Sequence, residues 1–129
     1  MVIQEAAEMY LETILVLHKR QGAVRAIDIA NEMGYSKPTV SEQMKKFREN
    51  GYIFVDGEGH ITLSEAGRKI AERTYERHNV ISEIFMGLGV SREVAYADAC
   101  RVEHYISQET FERMREHYLK YTPDPSAGE

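Results

Sequence analysis

The feature that most constrains this chain is a pair of helical segments separated by a glycine-containing turn. Apolar residues recur at helical spacing over Ala26–Met33, and Gly34 follows where a helix can end in a left-handed conformation. Ser36 and Pro38 then supply an N-cap and a first-turn proline for a longer helix, which Asn50-Gly51 closes. A short helix, a turn and a longer helix with a polar start predict a helix-turn-helix, whose second helix enters the major groove of DNA.

The charge of the second helix supports this interpretation. The whole chain has a net charge of −5, which argues against a nucleic-acid partner, but a sum over the chain can hide a local patch. Between Lys37 and Arg48 there are four basic residues against Glu42 alone, a local charge of +3. A solvated helix explains these charges but not the small polar groups beside them. The predicted DNA-contacting residues are Arg25, Ser36, Lys37, Pro38, Thr39, Ser41, Glu42, Gln43, Lys45 and Lys46.

Two short apolar runs further along the chain predict a β-hairpin. Tyr52–Val55 and His60–Leu63 have the composition of strands and flank Asp56-Gly57-Glu58-Gly59, a sequence with a strong preference for hairpin turns. Beside a helix-turn-helix, such a hairpin is the wing of a winged helix and contacts the DNA backbone. The two acidic residues at its tip repel phosphate, so His60 is the only wing residue that we predict to make such a contact.

The remaining predicted elements are helices, apart from one very short strand. They are a helix over 3–20, a strand at Val24-Arg25, a helix from Ser64 to about Phe85, a helix that begins at Ser91 and carries Cys100, Glu103 and His104, and a last helix from Ser107. The tail from Thr122 onward is predicted to be disordered. The predicted inward faces carry Ile27, Ile29, Ala30 and Met33 on the short helix, and Phe111, Met114, Tyr118 and Leu119 on the last one.

Three metal-capable side chains lie within one predicted helical turn. Cys100, Glu103 and His104 stand at i, i+3 and i+4, offsets that share one helix face with Cβ atoms about 5–6 Å apart. Thiolate, carboxylate and imidazole together suit Fe²⁺, Co²⁺, Ni²⁺ or Zn²⁺ and suit Ca²⁺ or Mg²⁺ poorly. A buried cysteine that packs beside an exposed glutamate-histidine pair explains this turn equally well.

Composition narrows the class of protein. The chain has 129 residues, 43% of them hydrophobic, which is enough for one domain or for two small domains that share a core. A single cysteine excludes an internal disulfide, and a start without a charged-then-apolar leader leads us to expect a reducing cytoplasm. No apolar run approaches the ~18 residues of a membrane span. We expect no enzyme activity, because the sequence has no nucleophile-base constellation and no phosphate loop.

Four separated segments carry a resemblance to a known family. They are Glu8–Leu11, Lys37–Ser41, Arg77-His78 and Ala99–His104. In this order and at these spacings, the chain resembles the diphtheria toxin repressor and manganese transport regulator family of metal-dependent bacterial transcription repressors. The resemblance extends from about residue 8 to residue 118.

The resemblance implies a mainly α fold. An N-terminal winged helix-turn-helix with a two-stranded β-hairpin wing is expected to precede an all-helical dimerisation region. No third, SH3-like domain is expected. The expected boundaries are residues 1–74 for DNA binding, 75–121 for metal binding and dimerisation, and 122–129 for the tail. A homodimer would bind double-stranded operator DNA of palindromic sequence. The apolar residues that we predict to form its interface are Ile81, Ile84, Phe85, Leu88 and Phe111.

Carried across residue by residue, the metal ligands implied by the resemblance are Met9, Glu12, His78, Cys100, Glu103 and His104. Met9 and Cys100 are similar to the iron-responsive branch, whereas Glu12 and Tyr96 are similar to the manganese-responsive branch. Ser82 stands where both branches offer a carboxylate, so one well-formed metal site per subunit is expected. A partial second site built from Glu12, His78 or Glu83 is the alternative. We expect Fe²⁺ as the effector, Mn²⁺ as its alternative, and Co²⁺, Ni²⁺ or Zn²⁺ as substitutes in vitro. The other alternative is a metal-independent winged-helix regulator that senses redox state through Cys100.

Overall fold

Residues 5–121 of the computed structural model contain six helices and one β-hairpin. In chain order they are α1 (Glu5–Gln21), α2 (Ala26–Met33), α3 (Lys37–Glu49), β1 (Ile53–Val55), β2 (Ile61–Leu63), α4 (Glu65–Gly87), α5 (Arg92–Val102) and α6 (Gln108–Tyr121). The mainly α class and the winged helix-turn-helix are confirmed. The predicted helix start at Ile3 and the predicted disordered tail from Thr122 lie outside the described residues.

The described residues form two compact units, and the division falls inside α4. One unit extends to Thr74 and the other begins at Tyr75. In neither unit does a described helix combine the length and the apolarity needed to traverse a bilayer.

The N-terminal unit has its core where α1, α2 and α3 meet the hairpin. The helix α1 buries one apolar stripe, formed by Tyr10, Leu11, Ile14, Leu15 and Leu17. Aromatic side chains link these elements, because the Phe47 ring lies edge-on to Tyr10 at 5.9 Å and to Tyr52 at 6.4 Å between ring centroids. Such pairs contribute about 0.5–1.5 kcal/mol beyond their buried area.

Local sequence signals set the ends of the helix-turn-helix as predicted. Gly34 ends α2 with φ of 73°, a left-handed angle that glycine adopts without steric cost. Ser36 caps α3, because its Oγ accepts a hydrogen bond from the Thr39 N–H at 3.3 Å. The buried face of α3 consists of Val40, Met44 and Phe47, which recur at helical spacing.

Two details of this unit differ from the sequence-based expectation. Val24-Arg25 is not a strand. Instead, the Val24 carbonyl accepts a single hydrogen bond from the Ile61 N–H at 2.7 Å, because the chain turns into α2 immediately afterwards. Ile27 does not face inward and is 37% exposed, because the eight-residue helix buries only the stripe that contains Ile29 and Ala30.

The hairpin is antiparallel and very short. Ile53 pairs with Leu63, Phe54 with Thr62, and Val55 with Ile61. Ser64 joins its end to α4, since Oγ donates to the Gly51 carbonyl at 2.6 Å and accepts from the Gly67 N–H at 3.1 Å. This one hydroxyl therefore fixes the hairpin end and caps the following helix.

The C-terminal unit packs the second part of α4 against α5 and α6. Its core consists of Ile81, Ala99 and Phe111, with half-buried apolar neighbours on all three helices. Two of the residues predicted for a dimer interface, Ile81 and Phe111, are therefore buried in the core of this unit. Leu88, a third, is 77% exposed. Leu119, which the sequence places on the inward face of the last helix, is instead 67% exposed.

We predict that Gly67→Ala destabilises the protein, although alanine ordinarily favours a helix. A Cβ at position 67 would overlap the carbonyl oxygen of Tyr52, which is backbone and cannot rotate away. The expected loss in free energy of unfolding is about 1–3 kcal/mol, measured by chemical denaturation. Gly87→Ala is the matched control, because a Cβ there meets open space and should leave stability unchanged or raise it by up to about 1 kcal/mol. Equal behaviour of the two variants would contradict the prediction.

Candidate metal centre and nucleic-acid interface

Three metal-capable side chains converge in the C-terminal unit. His78 of α4, Cys100 of α5 and Glu103 immediately after α5 each offer one ligand atom, and these atoms all lie within 4.8 Å of one another. Metal–ligand bonds of about 2.0–2.3 Å place the ligands of one ion roughly 3–4.5 Å apart. The group is therefore close to the spacing that one shared ion requires.

The arrangement differs in one respect from the single helical turn expected from the sequence. α5 ends at Val102, so Glu103 is its C-cap and His104 lies in the following turn. The Glu103 N–H still bonds to the Ala99 carbonyl at 3.0 Å, which keeps Glu103 on the same face as Cys100. His104 is outside the group of three, but its Nε2 lies 3.3 Å from Glu103 Oε1.

The glutamate is fully enclosed. The Glu103 side chain has 0% exposure, with His78 Nδ1 3.2 Å from one carboxylate oxygen and His104 Nε2 3.3 Å from the other. The alternative explanation of this turn, an exposed glutamate-histidine pair, is wrong because the side chain of His104 is only 1% exposed as well. A buried carboxylate is costly unless it is hydrogen-bonded or lies beside a cation, and a bound divalent metal is one such cation.

The His78 ring fits the role of a metal ligand. Its two ring nitrogens are buried, and within residues 5–121 neither makes a hydrogen bond of acceptable geometry, even though Nδ1 lies near Glu103. The ring is held by Tyr96, whose ring centroid lies 4.6 Å from that of His78. Buried nitrogens without hydrogen bonds are costly unless something else binds them. The donor set and this histidine together fit a divalent transition metal.

The position of Ser82 does not add a ligand to this group. Its hydroxyl donates to the carbonyl oxygen of His78, one turn earlier on α4, at 2.7 Å, and the residue is only 1% exposed. The neighbouring Glu83 is exposed. Within residues 75–121, His78, Cys100 and Glu103 form a group of three close ligand atoms, and the number of metal sites per subunit stays a prediction.

Met9 and Glu12 lie in the N-terminal unit, on α1. Both are half-buried, and the Met9 carbonyl accepts a hydrogen bond from the Thr13 hydroxyl at 2.8 Å. They are one helical turn apart, so both can face the same side of α1. Their role as ligands stays a prediction.

Most of the residues predicted to contact DNA are exposed. Of the ten, nine are exposed and Gln43 is half-buried; the exposed residues are Arg25, Ser36, Lys37, Pro38, Thr39, Ser41, Glu42, Lys45 and Lys46. The Thr39 hydroxyl lies 2.8 Å from the Ser36 hydroxyl, so the two share one hydrogen bond at the start of α3. The patch of positive charge on α3 is therefore open to solvent and to a polyanion.

Sequence reasoning left Arg48 out of the predicted contacts. Arg48 and Lys45 line a groove of about 260 Å³ that lies between α3 and the hairpin, together with Ser41 and Gly59. The position of Arg48 in the sequence could have indicated its place beside this groove. Residues 41, 45 and 48 lie at helical intervals and therefore share one face of α3.

The wing tip is organised by one carboxylate. Asp56 accepts hydrogen bonds from the backbone N–H groups of Glu58 at 2.8 Å and of His60 at 2.9 Å. Nδ1 of His60 lies 3.3 Å from Asp56 and 3.7 Å from Glu58, so the imidazole faces its own hairpin's acids. His60, the predicted phosphate contact, is thus engaged within the wing.

Comparison with known proteins identifies the family. Residues 3–61 match the family domain described as "Iron dependent repressor, N-terminal DNA binding domain", and residues 64–129 match "Iron dependent repressor, metal binding and dimerisation domain". The chain belongs to the iron-dependent repressor family. This family consists of metal-dependent, DNA-binding transcriptional repressors rather than of enzymes, and the resemblance inferred from the sequence is confirmed.

The relatives of this chain include proteins named for manganese and proteins named for iron. The "Transcriptional regulator MntR" of Escherichia coli O6:H1 is 34% identical over 112 residues, which cover 87% of this chain and 72% of that protein. The "Iron-dependent repressor IdeR" of Mycobacterium tuberculosis is 31% identical over 111 residues, covering 85% of this chain and 48% of that protein. Family membership alone therefore does not choose between the two metals.

Solved structures agree in fold. The manganese regulator SloR superposes with a TM-score of 0.76 at 28% identity, over 94% of this chain and 55% of that one. A manganese-dependent transcriptional repressor in complex with manganese superposes with a TM-score of 0.79 at 27% identity, over 92% of this chain and 55% of that one. The chain thus spans about half the length of these two solved relatives.

We predict that the wing loses order in acid because of Asp56. The hydrogen bonds from His60 and Glu58 hold the pKa of its carboxyl below the ordinary 3.8. A lowered pKa in the folded protein stabilises the hairpin at pH values above the ordinary pKa, and this contribution is lost as pH falls through the folded-state pKa.

The measurement follows the NMR chemical shifts of residues 53–63 from about pH 5 to pH 2. In wild type, the chemical shifts of the hairpin should move toward the values of a disordered chain as pH falls. The Asp56→Asn side chain retains an acceptor oxygen but does not titrate, so the chemical shifts of this variant should change less with pH. Identical profiles would contradict the role of Asp56.

Proposed function

We propose that this protein is an iron-responsive, DNA-binding transcriptional repressor of metal-uptake genes. The observation that carries the proposal is the convergence of His78, Cys100 and Glu103, because a nitrogen, a sulfur and an oxygen donor within 4.8 Å match a borderline divalent metal. The family supports the coarser statement that the repressor is metal-dependent.

The proposed ligand set contains Met9, Glu12, His78, Cys100, Glu103 and His104. Four of these belong to the C-terminal unit, and Met9 and Glu12 belong to α1. If ligands from both units bind the same ion, metal binding would favour the conformation that binds DNA, and DNA binding would in turn favour metal binding. Coupling between two such events is typically about 1–3 kcal/mol, or 5–150-fold in affinity, and acts in both directions.

The proposed form on DNA is a homodimer on a palindromic operator. A two-fold axis would present two α3 helices about 34 Å apart, one helical turn of DNA. The exposed +3 patch of α3 supplies the attraction to phosphate, and the small polar residues at its start are proposed to contact base edges. Exposed Leu88 is the remaining strong apolar candidate for the contact between subunits.

Manganese is the second candidate effector. The identity to a protein named MntR, and the superposition on a repressor in complex with manganese, favour it. Against it stand Met9 and Cys100, since thioether and thiolate gain little from Mn²⁺, and affinity rises from Mn²⁺ through Fe²⁺ to Co²⁺ and Ni²⁺. Cys100 is half-buried, which also gives the redox alternative little support.

We predict that Met9→Asp combined with Cys100→Glu shifts the metal response from Fe²⁺ toward Mn²⁺. The double variant has only oxygen and nitrogen donors, which suit the harder ion. The measurement is anaerobic operator binding by wild type and variant, without metal and over a titration of each metal.

Wild type should respond to Fe²⁺ at lower concentration than to Mn²⁺, and the double variant should narrow or reverse this order. Equal responses of wild type to both metals, with no relative shift in the variant, would refute the iron assignment. Operator binding that is the same without any metal would refute metal dependence.

We predict that Lys45→Ala weakens binding to all DNA sequences alike. Lys45 is exposed and lines the groove between α3 and the hairpin, which suits a phosphate contact. Losing one such contact should reduce the slope of log affinity against log salt by about one unit. The matched control is Lys69→Ala on α4, where the lysine is also exposed but lies 3.8 Å from Glu65. If both variants keep the wild-type slope, the proposed placement of α3 on DNA is wrong.

A further inference from the structure

Arg77 donates hydrogen bonds to the connection between α5 and α6 and to the first residue of α6. Its Nη1 donates to the carbonyl oxygens of Glu103 at 3.0 Å and of Ile106 at 3.1 Å, and its Nη2 donates to Oε1 of Gln108 at 2.6 Å. Its guanidinium carbon also lies 5.3 Å from the centre of the Phe111 ring. One side chain on α4 therefore contacts the start and the end of this connection and the helix that follows.

Arg77 supplies donors to two carbonyl oxygens of this connection. Residues 103–107 contain no glycine, and Glu103 at the C-cap of α5 has right-handed angles, φ −58° and ψ −25°. Carbonyl groups at a helix end lack partners within the helix, and a cation is favoured near this negative end of the helix dipole. A planar guanidinium supplies several donors in a fixed geometry, which a lysine ammonium cannot reproduce.

Arg77 thereby connects the two chain segments that carry the candidate ligands. It precedes His78 on α4, and it binds the backbone carbonyl of Glu103, whose carboxylate lies 3.2 Å from the His78 ring. We propose that Arg77 is a positioning residue that holds the turn bearing Glu103 and His104 against α4, so that the ligands are in place before an ion binds. This proposal rests on the metal-dependent function proposed above. Ligands that are already ordered bind an ion with less loss of freedom.

Arg115 provides a matched control. Its guanidinium carbon lies 5.6 Å from the centre of the same Phe111 ring, and its Nη1 forms an ion pair with Glu76 at 2.7 Å. Both arginines thus stack on one aromatic ring, but the ion pair of Arg115 is with α4 rather than with the turn that carries the ligands. Replacing each by lysine keeps the charge and removes the planar fork.

The test is an anaerobic titration of the full chain with Co²⁺ in the absence of DNA. Absorption from a cobalt-bound thiolate reports coordination by Cys100, and chemical denaturation of the metal-free protein reports stability separately. Arg77→Lys should lower Co²⁺ affinity about 10–100-fold, the usual effect of losing a group that orients ligands. Arg115→Lys should stay within about twofold of wild type, as a surface substitution does.

A second variant keeps the test decisive if Arg77→Lys does not fold. Gln108→Leu removes the shortest hydrogen bond of Arg77 without changing the arginine, and should reduce affinity by more than about twofold. A purely structural role would lower the stability of the metal-free variants but leave Co²⁺ affinity of the folded protein at the wild-type value.

The possible failures are distinguishable. Wild-type Co²⁺ affinity in Arg77→Lys, or in Gln108→Leu where the first variant is unfolded, overturns the positioning role. An equal loss in Arg115→Lys and Arg77→Lys also overturns it, because the effect would then follow the shared aromatic stacking. Wild-type protein that gives no thiolate absorption with Co²⁺ overturns the ligand role of Cys100, and with it the iron-responsive function proposed above.

Discussion

The C-terminal unit depends on how it accommodates one buried carboxylate. Glu103 has no exposed side-chain surface, and its two oxygens lie 3.2 and 3.3 Å from the imidazoles of His78 and His104. Burying a carboxylate in this way is costly unless hydrogen bonds or a cation compensate for the lost water. A divalent cation bound by these side chains would offer such compensation, since carboxylate and neutral imidazole are both common metal ligands. The burial of Glu103 and the metal binding proposed for it therefore concern the same few atoms.

Serine hydroxyls organise the helices around both candidate sites. Ser36 caps α3, Ser64 caps α4, Ser91 caps α5 and Ser107 caps α6, each by accepting a backbone hydrogen bond three residues ahead. A cap of this kind contributes about 1 kcal/mol. It also fixes the residue at which each helix begins, and so the direction in which the following side chains point. The start of α3 and the face of α5 that carries Cys100 are both set in this way.

The acidic net charge and the proposed DNA binding are compatible because charge acts locally. Phosphate contacts depend on the field at the contact, and screening at physiological salt limits the influence of distant acids to about 8 Å. The exposed bases of α3 form such a contact surface, whereas Asp56 and Glu58 place negative charge at the wing tip. We infer that α3 rather than the wing tip supplies most of the attraction to DNA. The engagement of His60 with the wing's own acids supports this division.

Local signals in the sequence determined the order of the elements and most of their ends. α2 was predicted at its observed bounds, and Gly34 and Ser36 were predicted as its stop and the next start, because a helix end depends on residues within one turn of it. The candidate ligands Cys100 and Glu103 were also apparent, since their spacing places them on one face. Tertiary structure alone decided what depends on distant contacts. These contacts bring His78 close to Cys100, which lies 22 residues later in the sequence, and they enclose Glu103. They also place Arg77 against the turn that carries Glu103 and His104. They follow from packing around Ile81, Ala99 and Phe111, which joins three helices that share no local signal.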